Sequence, residues 1–252
     1  MTLAALADPL KTIVVIGGGC WGHLHTSRLL SARQQGKTAF SRLLVVDRHA
    51  DHQTARAFGD RPGVEFAVSD WDAFLSRFVA AEHQPGDLLV PAPIAPHLLF
   101  NWLIAHLTRS GPVSIERELV TGPLETPFDM LGAHGERFTS FAEWRCPASC
   151  LEPSVCPAIR APRTWEMVDH LQGLGSGLHS REIFVARHHA WGVATIPIDA
   201  LVAAATRLAK LIAERTVTTH WIATVSACHG VVGQFTARSN VCDALASEEV
   251  RR

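Results

Sequence analysis

The chain has 252 residues, 47% hydrophobic and 19% charged, a composition that fits a globular protein and excludes a disordered, collagenous or coiled-coil chain. Its 23 Lys and Arg against 24 Asp and Glu leave a net charge of −1, so no long-range field favours nucleic acid or anionic lipid. No stretch approaches the roughly 20 apolar residues of a membrane-spanning helix, and the first ten residues carry Asp8 and Pro9 without a basic segment, so the expectation is a cytoplasmic protein.

Lys11 to Gly17 (KTIVVIG) is a continuous apolar run closed by glycine, the pattern of a parallel strand buried on both faces. A helical stretch from Gly22 to about Arg33 follows, and then a second run, Arg42 to Asp47. Val64 to Ser69 reads as a third strand, Asp70 to Ala81 as a helix, and Asp87 to Val90 as a fourth strand. An apolar helix from about Pro96 to Leu107 and a fifth strand, Val113 to Glu116, come next. Strands alternating with helices predict right-handed βαβ units and a Rossmann-like, doubly wound parallel sheet over residues 1–121. From Gly122 to about Pro162 the chain is rich in Gly, Pro, Ser and Cys and shows no sustained period. Alternation returns with a strand at Glu182 to Arg187, a helix at Ile198 to Glu214 and a strand at Trp221 to Ser226. Residues 122–252 are therefore expected to form a smaller, cysteine-rich α/β portion, with the polar end from Ala237 to Arg252 fraying or capping the fold.

Between the first strand and first helix, Gly17, Gly19 and Gly22 satisfy G-x-G-x-x-G. One glycine makes the tight turn, the next lets backbone approach a pyrophosphate, and the third lets helix pack on strand, with the helix N-terminus facing the phosphates. The second strand ends in Asp47, at the distance expected of a carboxylate that binds ribose hydroxyls. A carboxylate there repels a 2′-phosphate, so of NAD and NADP the former is favoured, although Arg48 stands beside it.

These signatures resemble a known family. Gly17-x-Gly19-x-x-Gly22-x-x-His25 followed by Leu29, then Ala92-Pro93-x-x-x-His97 after the fourth strand, are similar to the nucleotide domain of the glucose-fructose oxidoreductase and inositol dehydrogenase family. Val68 to Leu75 (VSDWDAFL) adds to a likeness that covers about residues 11–119. The resemblance implies a dinucleotide site that includes Pro93 and His97. That family carries a lysine near the nicotinamide within an E-K-P sequence after its fifth strand, where this chain has Glu116-Arg117-Glu118. Arginine can hold an anionic substrate but does not readily shuttle a proton.

Six cysteines in a reducing compartment point to ligands or catalytic groups rather than to a disulfide framework. Three fall together as Cys146-x3-Cys150-x5-Cys156, and Pro147, Pro153 and Pro157 stiffen the loop, reducing the entropy lost when a metal binds. A [4Fe-4S] cluster ranks above structural zinc, because zinc commonly uses C-x2-C knuckles and neither interval has that length. Cys228, at the end of a predicted strand, is the first choice of fourth ligand; His229, the pair His188-His189 and Cys20 stand in reserve, and Cys242 is expected to be unligated. His188, His189 and His229 are also the candidates for general acid/base work near neutral pH. Arg160 and Arg163, near Trp165, read as solvated surface rather than an anion clamp.

The expectation is an NAD(P)-binding oxidoreductase with a cysteine-ligated iron–sulfur cluster or metal, acting on a small-molecule substrate, with no nucleic-acid or membrane partner. A homo-oligomer or a redox protein partner is left open. Two alternatives stand beside it: a non-catalytic NAD(H) or redox sensor, and a zinc-dependent enzyme.

Overall fold

The first four apolar runs form strands in a computed structural model that describes residues 11–92, 97–144, 146 and 150–239. In chain order the elements are β1 (Thr12–Ile16), α1 (Cys20–Gln34), β2 (Arg42–Asp47), α2 (Gln53–Phe58), β3 (Val64–Val68), α3 (Trp71–Ala81), β4 (Leu88–Val90), α4 (Leu98–Ser110) and β5 (Val113–Glu118). They continue with β6 (Phe128–Leu131), β7 (Arg137–Ser140), β8 (Val155–Cys156), β9 (Ala161–Pro162), α5 (Met167–Gly173) and β10 (Ser180–Val185). The last are β11 (Arg187–Ala190), β12 (Val193–Pro197), α6 (Ile198–Ala213), β13 (Val217–Val225) and β14 (His229–Ser239). The architecture is mixed α/β. The described residues of Met1–Ile94 and His188–Asp199 form one unit, and those of Ala95–Arg187 and Ala200–Arg252 the other.

In the first unit β3, β2, β1 and β4 lie side by side in that order, all parallel. Their apolar runs are continuous because residues on both faces are covered: Ile13, Val14, Val15, Leu43 and Val45 are each fully buried. Leu29 and Leu30 of α1 pack on this core, and each such side chain contributes about 1.5–3 kcal/mol relative to exposure. α3 starts at Asp70, whose carboxylate accepts the N–H groups of Asp72 and Ala73, satisfying two donors that the first helical turn otherwise leaves open.

The fifth strand expected in this sheet is not there. β12 takes the place beside β4, antiparallel to it, with β11 beyond as the edge. The Ile198 N–H donates to the Asp87 carbonyl at 3.0 Å, and the Asp199 carboxylate accepts the Gly86 N–H at 2.9 Å and meets His83 Nε2 at 3.0 Å. These bonds tie residues 188–199 to the first unit. β5 pairs antiparallel with β14 instead, from Val113 opposite Ser239 to Glu118 opposite Gln234. The reason is legible in VSIERE, where half-buried and exposed positions alternate over the first four residues; such a strand suits an antiparallel sheet with one face in water, not a doubly covered parallel one. The division accordingly falls before α4 rather than at residue 121.

The second unit is built on the β13–β14 hairpin, in register from Val217 opposite Arg238 to Val225 opposite Gly230. β10 runs parallel on the far side of β13, and β7 then β6 continue beyond β14. The stretch expected to be irregular thus contains a hairpin, pinned by an Arg137–Asp129 ion pair at 2.7 Å. Ala237 and Arg238, expected in a fraying tail, belong to the ladder of β14. Met167 and Leu171 of α5 pack with Trp221, Val225 and Val232. The long helix expected near Ile198 is α6, which buries Leu201, Ala204, Ala205, Leu208 and Ile212 at helical spacing. No described helix is long and apolar enough to cross a membrane.

Candidate functional site

The chain leaves β1 through Gly17, whose φ of 88° favours glycine and whose N–H donates to the Val46 carbonyl at 2.8 Å. A Cβ on Gly22 would lie 1.8 Å from the Gly17 oxygen, so α1 approaches the turn at a distance no other residue permits. A Cβ on Gly19 would meet nothing within 4 Å. Gly19 is the N-cap of α1, with no side-chain cap hydrogen bond and no acidic residue in the first turn of the helix's positive end. The other flank of the loop is filled. The His52 ring occupies the space a Gly18 side chain would need, and the Gly18 carbonyl accepts both the N–H and Oγ1 of Thr54.

Asp47 ends β2 against this loop, with Oδ2 accepting the Gly18 N–H at 2.7 Å and Oδ1 the His49 N–H at 3.0 Å. Burial pushes its carboxyl upward, but the two backbone donors and the neighbouring His52 and His49 outweigh that, holding it below the usual carboxylate range. Each oxygen retains acceptor capacity for a further donor.

The histidines expected as acid or base do not gather here. His188 Nε2 accepts the Gly192 N–H at 3.0 Å, closing its own hairpin turn. His189 Nε2 lies 2.7 Å from Thr38 Oγ1, and burial, with Lys11 and His188 adding, pushes its pKa down. Thr38 precedes β2 and Lys11 precedes β1, so His189 sits at the amino ends of the parallel strands, opposite the glycine loop. Cys20 is exposed in the first turn of α1. His97, expected beside the cofactor, belongs to the second unit, where its Nε2 is 3.1 Å from Glu136 Oε1. Pro93 and Cys242 lie outside the described residues.

In the second unit, Ser226, Ala227 and Cys228 form the turn between β13 and β14. One carboxylate organises it: Glu152 accepts Ser226 Oγ at 2.5 Å, the Ala227 N–H at 2.9 Å and the Cys228 N–H at 3.3 Å. The Phe141 N–H donates to the Cys228 carbonyl and the Met167 N–H to that of Ala227. Trp165 Nε1 donates to Cys228 Sγ at 3.3 Å, and the Glu152 N–H to Cys150 Sγ at 3.4 Å. Cys146 lies within electrostatic reach of Cys150, Cys156 and Cys228. Burial, helped by the Cys150 and Cys156 sulfurs, pushes the Cys146 thiol up, and burial does the same to Cys228.

These cysteines are free thiols. Among the described residues no three His, Cys, Asp or Glu side chains are arranged to hold a metal ion. The fold thus sets Cys150, Cys156 and Cys228 each within electrostatic reach of Cys146. His229 stands next to this turn, its Nδ1 2.9 Å from Ser140 Oγ, and burial pushes its pKa down against the pull of Glu152. Arg163 is engaged with the Trp165 carbonyl at 3.0 Å and Glu166 at 2.6 Å. Glu152 was the residue spacing arguments missed; its signal was an acid placed inside the cysteine run, two residues after Cys150.

A family model, AF_1314_C, described as the C-terminal domain of an uncharacterized protein, matches residues 99–238, more than half of the 252-residue chain. The chain belongs to the AF_1314_C family. The AF_1314_C segment contains all four candidate cysteines and Glu152, whereas the glycine loop, Asp47 and His97 precede it. No curated protein and no solved structure matches the chain.

Proposed function

We propose that the chain is an NAD(P)-binding oxidoreductase, its first unit a Rossmann-like nucleotide fold and its cysteine turn the holder of an iron–sulfur cluster or metal ion. The observation that carries this reading is the division of labour in the glycine loop: Gly22 has no room for a side chain, while Gly19 faces open space at the uncapped start of α1. That is the arrangement a diphosphate requires. The parallel order β3-β2-β1-β4 and the resemblance of the glycine-loop signature to that of the sugar-dehydrogenase nucleotide domain support it. When bound, the dinucleotide supplies hydride transfer. The chain's own part is to neutralise diphosphate charge with the first-turn N–H groups of α1 and to accept ribose hydroxyls on Asp47, whose ionised carboxyl favours NAD over NADP.

The cysteine turn fits a cation by chemistry. Burial pushes the Cys146 and Cys228 thiols up, and a bound cation would oppose that by stabilising thiolate. Cys150, Cys156 and Cys228 each lie within electrostatic reach of Cys146, and these are the thiols that would hold the cation. Fluorescence titration with NADH tests the first half: wild-type protein binds saturably and Gly19→Val does not. Metal analysis of anaerobically purified protein tests the second. Iron and sulfide with a brown colour support the cluster, stoichiometric zinc in colourless protein supports the zinc alternative, and full metal retention by Cys150→Ala overturns the site.

One observation favours a second reading, a non-catalytic NAD(H) or redox sensor. His188 and His189 are committed elsewhere, and Arg117, where the sugar-dehydrogenase family that the sequence resembles has its lysine, stands on β5 in the second sheet. Tight NADH binding without its oxidation by any of a broad panel of carbonyl compounds would decide for the sensor.

A further inference from the structure

β6 is the last strand on its side of the second sheet, paired with β7 and with no strand beyond it among the described residues. Phe128, Met130 and Leu131 are each about half exposed. Alternation puts Phe128 and Met130 on one face and Leu131 on the other, so both faces of the strand are open together with its edge. We propose that two copies of the chain pair through β6, antiparallel about a two-fold axis at Met130, and so form a dimer with a continuous sheet across its centre.

The backbone supplies the first argument. The Gly132 N–H donates to the Glu136 carbonyl at 2.6 Å, so residue 132 turns its backbone toward β7. In an antiparallel ladder this direction alternates, so residues 128 and 130 turn theirs inward, while Asp129 and Leu131 turn theirs to the open side. An identical strand, run antiparallel, satisfies those two residues without further fit: each copy's Asp129 faces the other's Leu131, and four hydrogen bonds form. Pro127 has no N–H to give and ends the ladder there. Edge strands are commonly blunted by lysine or a bulge; β6 carries neither.

Charge selects the occupant. From Leu119 to Ala133 the only charged side chains are Glu125 and Asp129. Asp129 is neutralised by Arg137 at 2.7 Å, and its other oxygen accepts the Leu124 N–H at 2.6 Å. Such a surface offers a strongly acidic or basic partner almost nothing to pair with, whereas a second copy of itself meets little like-charge repulsion.

Area sets the strength. Leu119, also exposed, lies against the turn of the same hairpin, its Cδ2 2.8 Å from an ideal Cβ on Gly135. Pairing at this edge covers roughly 700 Å² of apolar side chain across the two copies, and the backbone ribbon with its flanks brings the total near the low end of specific interfaces, about 1,200 Å². A contact of that size makes a weak dimer, with a dissociation constant on the order of 10 μM.

Sedimentation velocity of the full chain from about 1 to about 200 μM, spanning that constant, tests the proposal. A species of twice the chain's mass should grow in with concentration. Met130→Lys sets two like charges face to face at the axis and should weaken association on the order of tenfold or more. Leu131→Pro removes an outward N–H from each copy and should weaken it as well; circular dichroism and thermal unfolding confirm that both variants are folded. Met130→Cys places two thiols across a non-hydrogen-bonded pair with Cα atoms about 4.5 Å apart, within disulfide range. Oxidation by copper phenanthroline should therefore join two copies of that variant. Leu131→Cys holds its thiols beyond the limit of about 7 Å and should cross-link no more than wild type. A chain that stays monomeric throughout, a dimer unchanged in Met130→Lys, or equal cross-linking of the two cysteine variants would overturn the proposal.

Discussion

The glycine loop separates a glycine needed for packing from one that the proposed nucleotide would need, and two substitutions can tell them apart. In Gly22→Ala the new Cβ would start 1.8 Å from the Gly17 oxygen, so helix or turn must retreat by more than an ångström. Such overpacking costs up to about 3 kcal/mol, offset by about 1 kcal/mol because alanine outranks glycine inside a helix. The net loss of about 2 kcal/mol lowers the melting temperature by about 4–8 °C for a chain of this size. In Gly19→Val the new Cβ meets no atoms and the change forfeits glycine's advantage over an aliphatic residue at the N-cap, about 1 kcal/mol, yet its side chain would occupy the space proposed for phosphate. Melting followed by circular dichroism and NADH titration form the assay. An unchanged melting temperature in Gly22→Ala would refute the packing argument; wild-type affinity in Gly19→Val would refute the phosphate-binding argument.

Acid should unfold the protein early. His25 and His220 are buried, and desolvation pushes each pKa down to about 4. Because the folded values lie below the unfolded one, the stability these groups preserve is complete above about pH 6.5 and is lost as pH falls toward about 4, up to about 3 kcal/mol for each. A melting temperature independent of pH across that window would contradict this, and His220→Gln should flatten the slope. Glu152→Ala, which strips three hydrogen bonds from the Ser226–Cys228 turn, should cost about 2–3 kcal/mol in chemical denaturation, with Glu152→Gln intermediate; equal stability of all three would remove Glu152 from its organising role. Asp47→Asn should weaken NADH binding on the order of tenfold while reducing discrimination against NADPH; an unaltered NADH affinity would exclude ribose contact.

The elements that could be read from sequence are those whose pattern has one physical meaning. KTIVVIG, RLLVVD and DLLV are apolar without a break, and they became the central parallel strands. α6 repeats its apolar residues at helical spacing and was legible for the same reason. β5 also carried its fate in its letters, but the expectation of alternating strands and helices outweighed the alternation within VSIERE. β14, with His229, Gly230 and Gly233 in HGVVGQFTARS, lacks a clear two-residue period, because it is covered over much of its length. The return of residues 188–199 to the first unit was invisible, since it depends on the Asp87 carbonyl and the Asp199 carboxylate accepting backbone N–H groups far away in sequence.

The cysteine turn shows where spacing arguments stop. Cys146, Cys150 and Cys156 declare themselves by proximity in the chain, whereas the Cys228 turn is tied to their loop by Glu152, which stands between Cys150 and Cys156 and accepts the N–H of Ala227, 75 residues away. The carboxylate is therefore a positioning residue, supplying to the backbone the acceptor that water would otherwise provide. This also orders the dependence of the two proposed sites. The glycine loop rests on close packing inside the first unit and the cysteine turn on hydrogen bonds inside the second, Glu152 prominent among them, so a substitution that dismantles either leaves the forces that build the other untouched. Nucleotide binding by Glu152→Ala and metal content of Gly19→Val should each match wild type.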